Sequence, residues 1–158
     1  MFGLAILLNL PMGKYRRLMH VVYKCDYHIV FTPKYRFRIL TGEIAAAMEQ
    51  DLRQVCSWKE VEIDEMSVQV DHVHMVVSIP PRLSVSDFMG VLKGKTTMRI
   101  FKSHPNLKKK PYWGNHFWAR GYFVNTFGIN EEMIRRYVKY QEEEERKMEG
   151  DRSDFTLF

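Results

Sequence analysis

The stretch Asp71-His72-Val73-His74-Met75-Val76-Val77-Ser78-Ile79 decides how this chain is read. Val73, Met75, Val77 and Ile79 recur at every second position, the period of a strand with one buried face. The same period puts His72 and His74 together on the opposite face. Just upstream, the run from Glu60 to Val70 alternates Val61, Ile63 and Glu65 and resumes at Val68 and Val70. The two runs read as strands two and three of a hairpin that turns near Asp71 or a few residues earlier. Downstream, Pro80-Pro81 stops the strand. Ser84 then caps a helix that carries Val85, Phe88, Met89, Leu92, Met98 and Ile100 to about Lys102.

Working outward, Tyr23, Cys25, Tyr27, Ile29 and Phe31 alternate with Lys24, Asp26 and His28, so Val21 to Phe31 reads as strand one. Ile44, Ala47, Met48, Leu52 and Val55 fall at helical intervals between Glu43 and Trp58, after Thr41 and Gly42 as a start signal. Asn115 to Val124, rich in aromatic and β-branched residues, reads as a fourth strand. Asn130 caps a long final helix, with Glu131 and Glu132 at its positive end. The order β-α-β-β-α-β-α is an α+β, ferredoxin-like split arrangement with one helix added at the C-terminus. Two helices then cover one face of a four-stranded antiparallel sheet and leave the other for a site and the added helix.

At 158 residues the chain has the length of one domain, and 46% hydrophobic with 27% charged residues excludes general disorder. Cys25 and Cys56 are too few for a disulfide framework and lack zinc-site spacing, which points to a reducing, cytoplasmic setting. The apolar run Met1 to Pro11 is about half the ~20 residues needed to span a bilayer. It reads as an extension ahead of a start at Met12, followed by a single domain over 12–150 and a C-terminal tail over 151–158. The net charge of +5 is unevenly spread, at +6 for residues 1–40 and +8 for 82–122, against −6 for 41–81 and −3 for 123–158. Both basic blocks interleave aromatics, as in Lys34-Tyr35-Arg36-Phe37-Arg38 and Lys108-Lys109-Lys110-Pro111-Tyr112-Trp113. Cations that neutralise phosphate, mixed with rings that stack on unpaired bases, suit single-stranded nucleic acid. A solvated basic surface is the plainer alternative.

Two imidazoles at the spacing of His72 and His74 can converge on one divalent ion, but they need a further donor. Tyr137 and Gln141 lie four apart on the last helix and share a face, offering an oxygen ligand for a hard ion and a hydroxyl for a phosphate. Tyr140 is about 100° away from Gln141 around the helix and is worse placed. The acidic run Glu142 to Glu145 splays around that helix and reads as a solvated face. Gly94-Lys95-Thr96 ends like a phosphate loop, yet Met89 stands where its upstream glycine is required, so no ATP site is indicated.

His72-Val73-His74, followed about 60 residues later by Tyr137-x-x-x-Gln141, resembles the HUH single-tyrosine transposases of the IS200/605 type. The likeness extends to Tyr27-His28-Ile29-Val30-Phe31-Thr32-Pro33-Lys34-Tyr35-Arg36, to Phe88-Met89-Gly90-Val91-Leu92-Lys93-Gly94-Lys95 and to Phe117-Trp118-Ala119-Arg120-Gly121-Tyr122. The resemblance implies that His72, His74 and Gln141 hold a divalent metal, Mg²⁺ or Mn²⁺, and that Tyr137 is the nucleophile. It implies cleavage and rejoining of single-stranded DNA through a 5′-phosphotyrosine, hairpin recognition at element ends, and a homodimer with sites shared between subunits. Lys34, Arg36, Lys93, Lys95, Arg120 and Tyr122 are the expected nucleic-acid contacts. A domesticated or inactive relative that binds a nucleic-acid hairpin is the alternative. Rolling-circle initiators and relaxases share the histidine pair and tyrosine but usually carry helicase or other domains. An RNA-recognition sheet wants exposed aromatics where strand three has His72, His74, Val76 and Ser78.

Overall fold

The computed structural model describes residues 15–109, 116–126 and 131–155. The apolar run at 1–11, the expected cap Asn130, Asn115 and residues 110–113 of the second basic block lie outside them. Among the described residues the order is β1 (Arg16–Leu18), β2 (Val21–Tyr23), β3 (Asp26–Phe31), α1 (Gly42–Trp58), β4 (Glu62–Val68), β5 (Val73–Ser78), α2 (Val85–Ser103), β6 (Phe123–Asn125) and α3 (Glu131–Phe155). Short 3₁₀ turns occupy Lys34–Arg36 and Pro105–Lys109.

β4, β5, β3 and β6 lie side by side in that order, every pair antiparallel. This is the ferredoxin-like order, with the hairpin β4–β5 on one side of β3 and the last strand on the other. Val73, Met75 and Val77 on β5 and Ile29 and Phe31 on β3 are fully buried with Leu52 and Val55 of α1 and Phe88 and Leu92 of α2. Each such side chain contributes about 1.5–3 kcal/mol by leaving water. Ser84 caps α2, its hydroxyl accepting from the Asp87 N–H at 3.1 Å. An ion pair from Arg99 Nε to Asp51 Oδ1, 2.7 Å, ties α2 to α1.

The expected single strand over Val21 to Phe31 is two strands. Its first part, β2, pairs with β1 in a separate hairpin in which Arg16 faces Tyr23, and only β3 enters the main sheet. The alternation survives the break at Lys24-Cys25 because both pieces are extended; period two reports backbone conformation and not the identity of the partner strand. Arg16, itself buried, reaches Glu62 at 2.7 Å and Asp64 at 2.5 Å on the edge strand β4 and so anchors the hairpin. On β4 a register shift between Ile63 and Glu65 inserts one residue, which explains the change of phase between Val61-Ile63 and the later apolar positions.

The expected fourth strand over Asn115 to Val124 contracts to Phe123–Asn125. Phe117, Trp118 and Ala119 are buried and run alongside Thr32–Lys34 through one bridge between Pro33 and Trp118. The Lys34 N–H donates to Phe117 O and the Ala119 N–H to Thr32 O, both at 2.9 Å. Gly121, at φ +81°, then breaks the extended run before β6 begins. Trp118 is fixed by edge-on contact with Phe31 at 4.7 Å and by a 2.9 Å bond from its Nε1 to Thr96 Oγ1 on α2.

Candidate active site

The parity of β5 places His72 and His74 away from the helix-covered face, as expected. They line a cleft of about 320 Å³ with Ser67 and Gln69 from β4 and its turn and with Ile134 and Arg135 from α3. His72 Nδ1 is 2.8 Å from Asp71 Oδ1, and the other oxygen of Asp71 accepts from Arg36 Nε at 2.8 Å. Burial pushes the Asp71 carboxyl up, but the hydrogen bonds from Arg36 and His72 outweigh it and leave the group below the usual carboxylate range. With Nδ1 engaged, Nε2 is the His72 nitrogen left for a ligand.

His74 has a neighbour that the sequence did not single out. His28 Nδ1 lies 3.4 Å from His74 Nε2, with the rings stacked at 5.7 Å. Burial first, and the adjacent His28 second, push the His74 pKa down, favouring the neutral imidazole that ligates metals. The signal was present in principle, since His28 shares its parity with Val30, and Val30 pairs directly with His74.

A row of paired residues runs across this face from Ser67 on β4 through His74 and Val30 to Phe123 on β6. The Tyr137 ring packs on Phe123 at 5.6 Å. Tyr137 therefore sits over a strand two spacings, roughly 10 Å of backbone, from the strand of the histidines. Its hydroxyl is buried with no hydrogen-bond partner among the described residues. Burial, then Glu145 and Tyr140, raise its pKa and so disfavour the phenolate. Gln141 donates through Nε2 to the Arg120 carbonyl, which leaves its amide oxygen as the available donor atom. It lines a second cleft of about 200 Å³ with Lys34, Tyr35, Trp118 and Arg120. The histidine cleft is lined by neither Tyr137 nor Gln141. Among the described residues no three His, Cys, Asp or Glu side chains are grouped to hold a metal. Tyr140 points outward, 55% exposed.

The acidic run on α3, expected to be a solvated face, is one only in part: Glu143 is exposed, but Glu142 and Glu145 are engaged. Glu142 accepts from Arg36 Nη1 at 2.6 Å, and Glu145 accepts from the Tyr35 backbone N–H. These two residues, three apart and hence on one face of the helix, dock it onto the turn at Lys34–Arg36. Neither role was legible from charge, because the partner turn is more than a hundred residues away.

The expected nucleic-acid contacts divide by environment. Lys95 and Arg120 are exposed, and Lys34 Nζ lies 5.1 Å from the centre of the Tyr35 ring. Lys93 turns inward: its ammonium donates to Ala119 O at 2.9 Å and to Gly121 O, and lies 5.7 Å from the centre of the Tyr122 ring. Burial pushes its pKa down to about 8, so it remains charged at neutral pH while bonding backbone carbonyls. Arg36 is likewise engaged, by Asp71 and Glu142.

Residues 21–141 match the family described as "Transposase IS200 like". The transposase for insertion sequence element IS200 of Salmonella typhimurium is 45% identical over 135 residues, which cover 85% of this chain and 88% of that protein. The ISDra2 transposase TnpA of Deinococcus radiodurans is 34% identical over 141 residues, covering 89% and 98%. A crystal structure of a Deinococcus radiodurans protein assigned as a transposase superposes with a TM-score of 0.71 at 30% identity, covering 80% of this chain and 97% of that one. The sheet order of this chain accords with these likenesses, and the chain belongs to the IS200-like transposase family, whose members move DNA by transferring strands.

Proposed function

We propose that this transposase cleaves and rejoins single-stranded DNA at Tyr137 through a 5′-phosphotyrosine. The observation that carries the reading is the pair His72, just before β5, and His74, on it, which line one open cleft beside the helix that bears Tyr137. The Tyr137 oxygen forms a bond to phosphorus as the bond to the 3′ oxygen breaks. The phenol gives up its proton, and the leaving oxygen takes one to become a 3′-hydroxyl. A second 3′-hydroxyl then attacks the phosphotyrosine and returns the phenol, so phosphodiester energy is conserved and no ATP is needed.

The donor set fits a divalent ion: two half-buried imidazoles, one held by a carboxylate and the other favoured as neutral, and an amide oxygen left free by its Nε2 bond. Mg²⁺ or Mn²⁺ held by His72, His74 and Gln141 would supply positive charge to polarise the scissile phosphate. Because the histidines and Gln141 line different clefts, the reading includes a homodimer in which α3 of one subunit serves the histidines of the other. The buried, unpartnered hydroxyl of Tyr137 suits a nucleophile at rest. Exposed Lys95 and Arg120, with Lys34, supply phosphate contacts for a hairpin substrate. Incubation with Mg²⁺ and labelled single-stranded DNA from the flanks of the gene is expected to give a covalent protein–DNA adduct. Hairpin binding with no adduct in any divalent ion would instead favour a binding module.

A further inference from the structure

We propose that Asp71 is a positioning residue for the histidine pair: it fixes His72 with the proton on Nδ1 and the free lone pair on Nε2, and Arg36 holds Asp71 in place to do so. The inference rests on the reading of His72 as a metal ligand and assigns a task to the carboxylate that touches it and to the cation behind that carboxylate.

The chemistry follows from the donor and acceptor inventory. Asp71 is only 7% exposed and uses both oxygens, one toward Arg36 Nε and one toward His72 Nδ1, each at 2.8 Å. An ionised carboxylate can only accept, so the imidazole nitrogen that faces it must be the donor. A neutral imidazole has one N–H; placing it on Nδ1 leaves Nε2 as the atom with a lone pair to give. The backbone supports the arrangement, since Gln69 N–H donates to His72 O at 2.8 Å and closes the turn that delivers Asp71 just before β5.

Arg36 completes it. Its guanidinium lies between two carboxylates, Asp71 before β5 and Glu142 on α3, with separate nitrogens for each. This forked, two-directional donation is what a lysine cannot reproduce. The same engagement takes Arg36 out of the group of cations turned toward nucleic acid and gives it a role inside the site. Without Arg36, the buried Asp71 would lose the cation that offsets its desolvation and one of the two bonds that hold it facing His72.

The test uses the full chain in two measurements. Long-range ¹H–¹⁵N spectra of the metal-free protein with ¹⁵N-labelled histidine, at mildly alkaline pH, are expected to show His72 protonated at Nδ1. In Asp71→Asn the population shifts toward the Nε2–H form, because an amide can also donate. Calorimetric titration with Mn²⁺ is expected to show binding weakened about 10- to 100-fold in Asp71→Asn, and weakened in the same direction in Arg36→Lys. A merely structural Asp71 would lower the thermal midpoint of the Asn variant while leaving the tautomer and the Mn²⁺ affinity of the folded protein unchanged, and that result overturns the proposal. If Asp71→Asn does not fold, the wild-type spectrum decides, since an Nε2–H tautomer in the metal-free protein is equally fatal. Mn²⁺ binding that survives replacement of both His72 and His74 by Ala would locate the failure one step earlier, in the ligand assignment itself, and the proposal would fall with it.

Discussion

On one side of the central sheet Ile29, Phe31, Val73, Met75 and Val77 are sealed against two helices; on the other, directed polar contacts join His28 to His74 and, separately, His72 to Asp71 and Asp71 to Arg36. The first side depends on volume and area, and each contact is replaceable by another of similar shape. The second depends on which atom donates and which accepts. The same strand, β5, serves both, and the difference teaches that stability and chemistry here are separated by the parity of single residues. Substitutions on the two sides should therefore fail in different measurements.

The largest expected effect is on the polar side. Tyr137→Phe removes only the oxygen proposed to attack, so adduct formation should fall by about three orders of magnitude or more. Its buried hydroxyl has no partner, so the thermal midpoint should hold or rise, and Tyr140→Phe should keep cleavage. Adducts persisting in the first variant and vanishing in the second would reassign the nucleophile. Replacing His72 and His74 together by Ala should abolish metal-dependent cleavage while hairpin affinity, measured by gel shift, stays within about twofold because the proposed phosphate contacts lie elsewhere. Leu92→Ala inverts the pattern: about 2–5 kcal/mol of stability lost in urea denaturation, with the cleavage rate per folded molecule retained. A matched loss of rate would show that the two sides are not independent. Ser84→Ala, which deletes the cap of α2, should cost about 1 kcal/mol and leave cleavage and Mn²⁺ binding alone.

Much of this partition could be read before any coordinates. Alternating Val73, Met75 and Val77 determined the covered face, and His72 and His74 followed onto the other by parity alone. Local signals also placed α1, α2 and the capping Ser84. What stayed hidden was set by distant partners. The hairpin of β1 and β2 depends on Arg16 meeting Glu62 and Asp64, and the trimming of the last strand depends on Gly121 and on Trp118 finding Thr96. In the site, the pairing of His28 with His74 and of Arg36 with Asp71 and Glu142 joins segments with no common period. Composition described Glu142 and Arg36 correctly as charged and wrongly as facing outward, because charges that neutralise each other across a fold look the same in sequence as charges in water.

Tyr35 and Arg36 have φ values of +56° and +51°, two successive side-chain-bearing residues in a region that glycine occupies freely. Each costs about 1–2 kcal/mol relative to an ordinary conformation. A search for thermostabilising substitutions would mark both positions for glycine, and at Tyr35 the exchange would relieve local backbone strain. At Arg36 it would delete the guanidinium that this bend delivers to two carboxylates. The bend is thus a place where a hardier protein and a working one call for different residues, and improvement by stability alone would drift away from transposition.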